Sequence, residues 1–101
     1  MATDSTDHRQ AAQTRLTDLA TLVRTLPPND DLTRLLDEMA ALDRAISAFH
    51  LEGIRFRMYN VDRLVMHSSV PLPEEATAAV ADVHAHLEAA GFHTRSHQAP
   101  T

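Results

Sequence analysis

The side chains able to do chemistry are seven histidines, nine arginines and fourteen carboxylates; cysteine and lysine are absent. Without thiols there is no disulfide, no thiolate nucleophile and no thiolate metal ligand. Without lysine there is no Schiff base and no phosphate-loop ammonium group. The histidines form neither an HExxH motif nor an ExxH pair, the spacings that aim two ligands at one ion from a single helix. His84 and His86 are two residues apart and diverge to opposite flanks of a helix. His8, His50 and His93, distant in sequence, are brought together by the antiparallel arrangement argued below. Imidazoles gathered in this way suit Zn²⁺ or Ni²⁺, so they form a candidate metal site.

Arg55, Arg57 and Arg63 lie near Tyr59 and form a candidate anion or nucleic-acid strip. Glu52 and Asp62 interleave with them, and the formal net charge is -5. A solvated helix with pairing between successive turns explains the arginines more simply, and nucleic acid is not an expected partner. Two glycines in the whole chain are too few for a dinucleotide or phosphate-binding loop. No nucleophile-elbow motif supports a serine hydrolase. Asp37-Glu38 and Glu74-Glu75 are adjacent and diverge on a helix. No catalytic residue is predicted.

The elements that position these groups are helical. Ala12, Leu16, Leu19, Val23 and Leu26 step by four and three, and Ser5, Thr6 or Asp7 caps that helix. Pro27-Pro28 ends it. Asn29 or Asp30 caps the next, read as one long helix from Asp30 to about Ser68, roughly 58 Å at 1.5 Å per residue. Its stripe is Leu32, Leu35, Met39, Leu42, Ile46, Phe49, Gly53 and Phe56. Gly53 marks a kink or a close helix contact, and the apolar face moves there to Ile54, Met58, Val61 and Val65. Residues 54–59 also alternate as a strand would, with no second strand to pair with. Val70-Pro71-Leu72-Pro73 breaks the long helix. Ala76, Val80, Val83, Leu87 and Ala90 form the last stripe, which Gly91 caps with Phe92 folded back on it.

The expected fold class is all-α: three antiparallel helices, short–long–short, in one domain spanning 1–101, with tails at 1–6 and 93–101. The first turn sets Leu26 against Leu32, Leu19 against Met39 and Ala12 against Ile46. The second sets Val83 against Met58 and Leu87 against Ile54.

Asp43, His50 and Arg57 are seven residues apart, so they share one face beside the apolar stripe. Charges there need partners. A second copy of the long helix, antiparallel about a two-fold axis at His50, supplies them. Asp43 meets Arg57, Met39 meets Val61, Leu42 meets Met58 and Ile46 meets Ile54. The sequence therefore predicts a small non-catalytic homodimeric module that regulates or binds a protein partner. The alternative is a histidine-based metal-binding or metal-sensing bundle. Apolar runs too short to span a bilayer and a polar N-terminus make cytoplasmic the expected compartment.

Overall fold

A computed structural model describes residues 7–69 and 71–92. Four α-helices form in them: α1 His8–Arg24, α2 Asp30–Ser47, α3 Leu51–Met66 and α4 Glu74–Ala89. The all-helical expectation holds, and the described residues contain no strand. Residues 54–59 are helix. The expected count of three helices is wrong, because the long central helix is two helices joined by a reversal at residues 48–50.

The boundaries follow from local chemistry. Asp7 Oδ1 accepts the Gln10 N–H at 3.0 Å and starts α1. Asn29 Oδ1 accepts the Leu32 N–H at 2.8 Å and starts α2, with Asp30 and Asp31 at its positive end. At the end of α4, Gly91 has φ 98, the Phe92 N–H reaches Leu87 O at 2.8 Å and the Gly91 N–H reaches Glu88 O at 3.0 Å. These two bonds are the Schellman pattern, as the sequence predicts.

The same pattern ends α2, without a glycine. The His50 N–H bonds to Ala45 O at 3.0 Å and the Phe49 N–H to Ile46 O at 3.1 Å. Phe49 takes the left-handed position at φ 55, which costs a residue with a Cβ about 1–2 kcal/mol. Burial across the new hairpin offsets this. Ile54, Met58 and Val61 on α3, and Leu35, Met39, Leu42 and Ile46 on α2, are all at most 2 % exposed. Each such side chain contributes about 1.5–3 kcal/mol when withdrawn from water. The shift of apolar face seen at Gly53 thus reflects a chain reversal four residues earlier. Phe49 and Phe56, read as core, are 62 % and 56 % exposed.

Gly53 permits the close approach that follows the turn. A Cβ there would lie 2.6 Å from His50 Nδ1 and 3.3 Å from Ala45 Cβ. Further along the hairpin, Asn60 reaches Glu38 and the Ser69 N–H reaches Asp31. The antiparallel register that the sequence assigned to two chains is therefore closely approached inside one chain, across α2 and α3.

The extra reversal changes the last helix. α1 packs most extensively on α4 and α2 on α3. Arg15–Asp82 and His8–His86 contacts run α4 antiparallel to α1. Gln13 bonds to Asp43 and Ser47 across α1 and α2, in line with the predicted first-turn register. His84 meets Asp62, about one helical turn from the register expected across the second turn. One core runs between the two pairs, from Ala12, Leu16, Leu19 and Val23 on α1 to Ala76, Val80, Val83 and Leu87 on α4. Leu26 packs partly against it and Ala90 is exposed. No helix of the described residues is long and apolar enough to cross a membrane.

Candidate interaction surface

The predicted polar series is dispersed by the hairpin. Asp43 is exposed and accepts from Gln13 Nε2 at 3.1 Å. Arg57 is half-buried and donates through one nitrogen to Glu38 at 3.1 and 3.2 Å, where Asn60 joins at 3.1 Å. His50 is exposed and serves as the N-cap of α3 without a side-chain capping bond. A two-fold seam through His50 presupposes an unbroken helix, which the turn at Phe49 removes. Met39, Leu42, Ile46, Ile54, Met58 and Val61 are enclosed in the chain's own core.

Of the predicted histidine trio, the structure describes His8 and His50. His8 meets His86, their Nδ1 atoms 3.0 Å apart and their rings 5.2 Å apart. His50 stands beside Gly53, and His93 lies outside the described residues. Among those residues no three His, Cys, Asp or Glu side chains converge on a common point. The short His8–His86 contact needs complementary tautomers, one ring donating and the other accepting. The sequence did not suggest this pair, because it depends on α4 lying against α1.

His84 is the one buried polar residue among the described residues, and its Nε2 lies 2.7 Å from Asp62 Oδ2. A ring so enclosed and so bonded helps to fix the helices around it. It sews α4 to α3, the least extensive of the four helix contacts. Asp62→Ala is expected to lower stability by about 1 kcal/mol, since it removes a short hydrogen bond to a buried ring. Chemical denaturation of both proteins measures this.

Further polar contacts join the middle of α1 to α4 and the start of α2 to the chain after α3. Arg15 binds Asp18 and Asp82, both at 2.9 Å; first the Asp18 bond and then Asp82 raise its already high pKa against desolvation. Asp31 is held below the usual carboxylate range, first by the Ser69 hydroxyl and then by the Ser69 N–H, with Arg34 adding a little. A lowered carboxylate value favours the fold at neutral pH and loses that contribution as pH falls through it.

Arg55, Arg57 and Arg63 do not converge. Arg57 turns inward to Glu38, while Arg63 lies along Tyr59, donating to its hydroxyl at 3.2 Å. Arg55 is exposed.

The outer face of α3 is the surface the sequence reading missed. Phe56, Tyr59 and Met66 are 56 %, 54 % and 76 % exposed. Glu52 and Arg63 are exposed on the same face. At 100° per residue these five positions fall within an arc of about 80°, roughly 150° from the Ile54, Met58 and Val61 face. Phe49, also exposed, precedes the helix and turns its ring toward α1 and the end of α4, with Arg9 4.3 Å over it and Phe92 6.3 Å away. α3 is thus apolar on two opposite faces, and one of them is turned outward. The signal was present as a repeat of three and four through Glu52, Phe56, Tyr59, Arg63 and Met66. It was hidden because Phe56 was read as the tail of the α2 stripe.

Comparison of the chain with protein-family models, curated proteins and solved structures gives no match.

Proposed function

We propose that this protein is a small non-catalytic helical module that works by association, as a homodimer that binds or regulates a protein partner. The observation that carries this reading is the outward aromatic stripe of α3. Ring-rich surface left on one helix face costs solubility, and contiguous apolar patches of this kind mark interaction sites. The acidic balance of the chain agrees with a protein rather than a nucleic-acid partner. The proposed compartment is the cytoplasm. Sedimentation equilibrium at tens of micromolar protein tests the reading. The expected mass is twice the 11.2 kDa of the chain; a single-chain mass would overturn it.

A second reading is favoured by the His8–His86 pair. Two nitrogens 3.0 Å apart are close to the spacing of two imidazoles on one ion, about 3.0–3.4 Å for bonds of 2.0–2.1 Å. Under this reading Zn²⁺ or Ni²⁺ binds between α1 and α4, with further ligands from water or added chain. Titration calorimetry with either metal tests it. His8→Ala and His86→Ala are expected to abolish binding and His50→Ala to leave it intact; equal weak binding in all four proteins would refute the site.

A further inference from the structure

Resting on the homodimer reading, we infer that the occupant of the α3 outer face is the α3 of a second copy, packed antiparallel, with Glu52 facing the partner's Arg63. The stripe runs Glu52, Phe56, Tyr59, Arg63 and Met66. Their spacing of three and four is that of a two-helix seam. A two-fold axis between positions 57 and 58 turns its four central members onto one another. Phe56 then faces the partner's Tyr59, and Glu52 faces the partner's Arg63, with Met66 closing each end. Every pairing is apolar with apolar or acid with base, and each occurs twice, as an isologous contact requires.

The parallel alternative fails on charge. It places Glu52 on Glu52 and Arg63 on Arg63, and like charges across a seam oppose association. Arg63 is already laid along the stripe by its bond to the Tyr59 hydroxyl and its position 5.8 Å from the Tyr59 ring centre. Little side-chain ordering is left to be done on binding.

The area fits a reversible dimer. Aromatic side chains present about 150–250 Å² each. The exposed fractions of Phe56, Tyr59 and Met66 therefore supply roughly 300–400 Å² of apolar surface per chain, within the range of functional patches. Stable interfaces bury about 800 Å² per partner, so the affinity is modest. The residues of this seam lie outside the core, so changing them leaves the fold in place.

Charge exchange and cross-linking test the register. Glu52→Arg alone and Arg63→Glu alone are each expected to weaken the dimer by about ten-fold. The double variant is expected to recover to within about three-fold of wild type, with unchanged helical circular dichroism in all. The chain has no cysteine, so one can be placed at will. Oxidising a mixture of Glu52→Cys and Arg63→Cys chains should give mainly the mixed disulfide dimer. A wild-type dimer that shows no rescue and prefers cross-links between like chains would overturn this register while leaving the homodimer standing. A wild-type monomer would overturn both, and would assign the face to residues 93–101 of the chain or to a different protein.

Discussion

Leu16→Asp is expected to unfold the protein, or to lower its thermal midpoint by about 20 °C or more. Leu16 is 3 % exposed on the buried stripe of α1, between Ala12 and Leu19. Described α1 contacts reach both α2 and α4, so the new carboxylate has no dry partner on either side. Burying it unpaired costs several kcal/mol, a large share of the 5–15 kcal/mol that holds a domain of this size together. Differential scanning calorimetry of the two proteins decides it; an unchanged midpoint would mean that the α1 stripe faces water.

The second large effect is a contrast between two neighbours on α3. Ile54 is 0 % exposed and Phe56 is 56 % exposed. Ile54→Ala is expected to cost about 2–5 kcal/mol, through lost burial and the cavity it leaves. Phe56→Ala, although it removes the larger side chain, is expected to change stability by about 0.5 kcal/mol or less in dilute solution, where association adds nothing. Urea unfolding of both variants reads the difference. A continuous helix from Asp30 onward, with Phe56 in its core stripe, predicts a large loss for Phe56→Ala as well.

That contrast also marks the limit of what the sequence discloses. The stripes of α1, of α2 to Ile46 and of α4 to Leu87 are legible from periodicity; side-chain chemistry narrows the N-caps to residues 5–7 and 29–30, from which the structure takes Asp7 and Asn29, and marks Gly91 as a C-cap. Each rests on chemistry local to a few residues. The reversal at Phe49 is not local in that sense. A helix usually stops where a glycine, asparagine or proline makes stopping easy, and Ala48-Phe49-His50 offers none. Helical phase continues across the break, so the stripe reads straight through it. Only the gain from folding α3 onto α2 selects the turn, and that gain depends on tertiary contact. The self-complementarity of residues 32–64 was legible; whether one chain or two would satisfy it was not. The outward stripe of α3 is hidden for the same reason, because Phe56 keeps the spacing of the α2 stripe while facing outward. The His8–His86 and His84–Asp62 pairs depend on where α4 lies and carry no sequence signal of their own.

The tight reversal at Phe49 also bears on how the chain finds its fold. Across it, Ala45 and Gly53 meet with very little chain between them, and Glu38 and Asn60 are 22 residues apart. The α1–α4 contacts join residues 67 and 78 positions apart. Closing a longer loop costs more entropy before any contact rewards it, and distant contacts slow folding. The α2–α3 hairpin is therefore expected to form early, and the docking of α1 with α4 to limit the refolding rate. Phe49 stands at the pivot of that hairpin, with its ring between Arg9 near the start of α1 and Phe92 just past the end of α4.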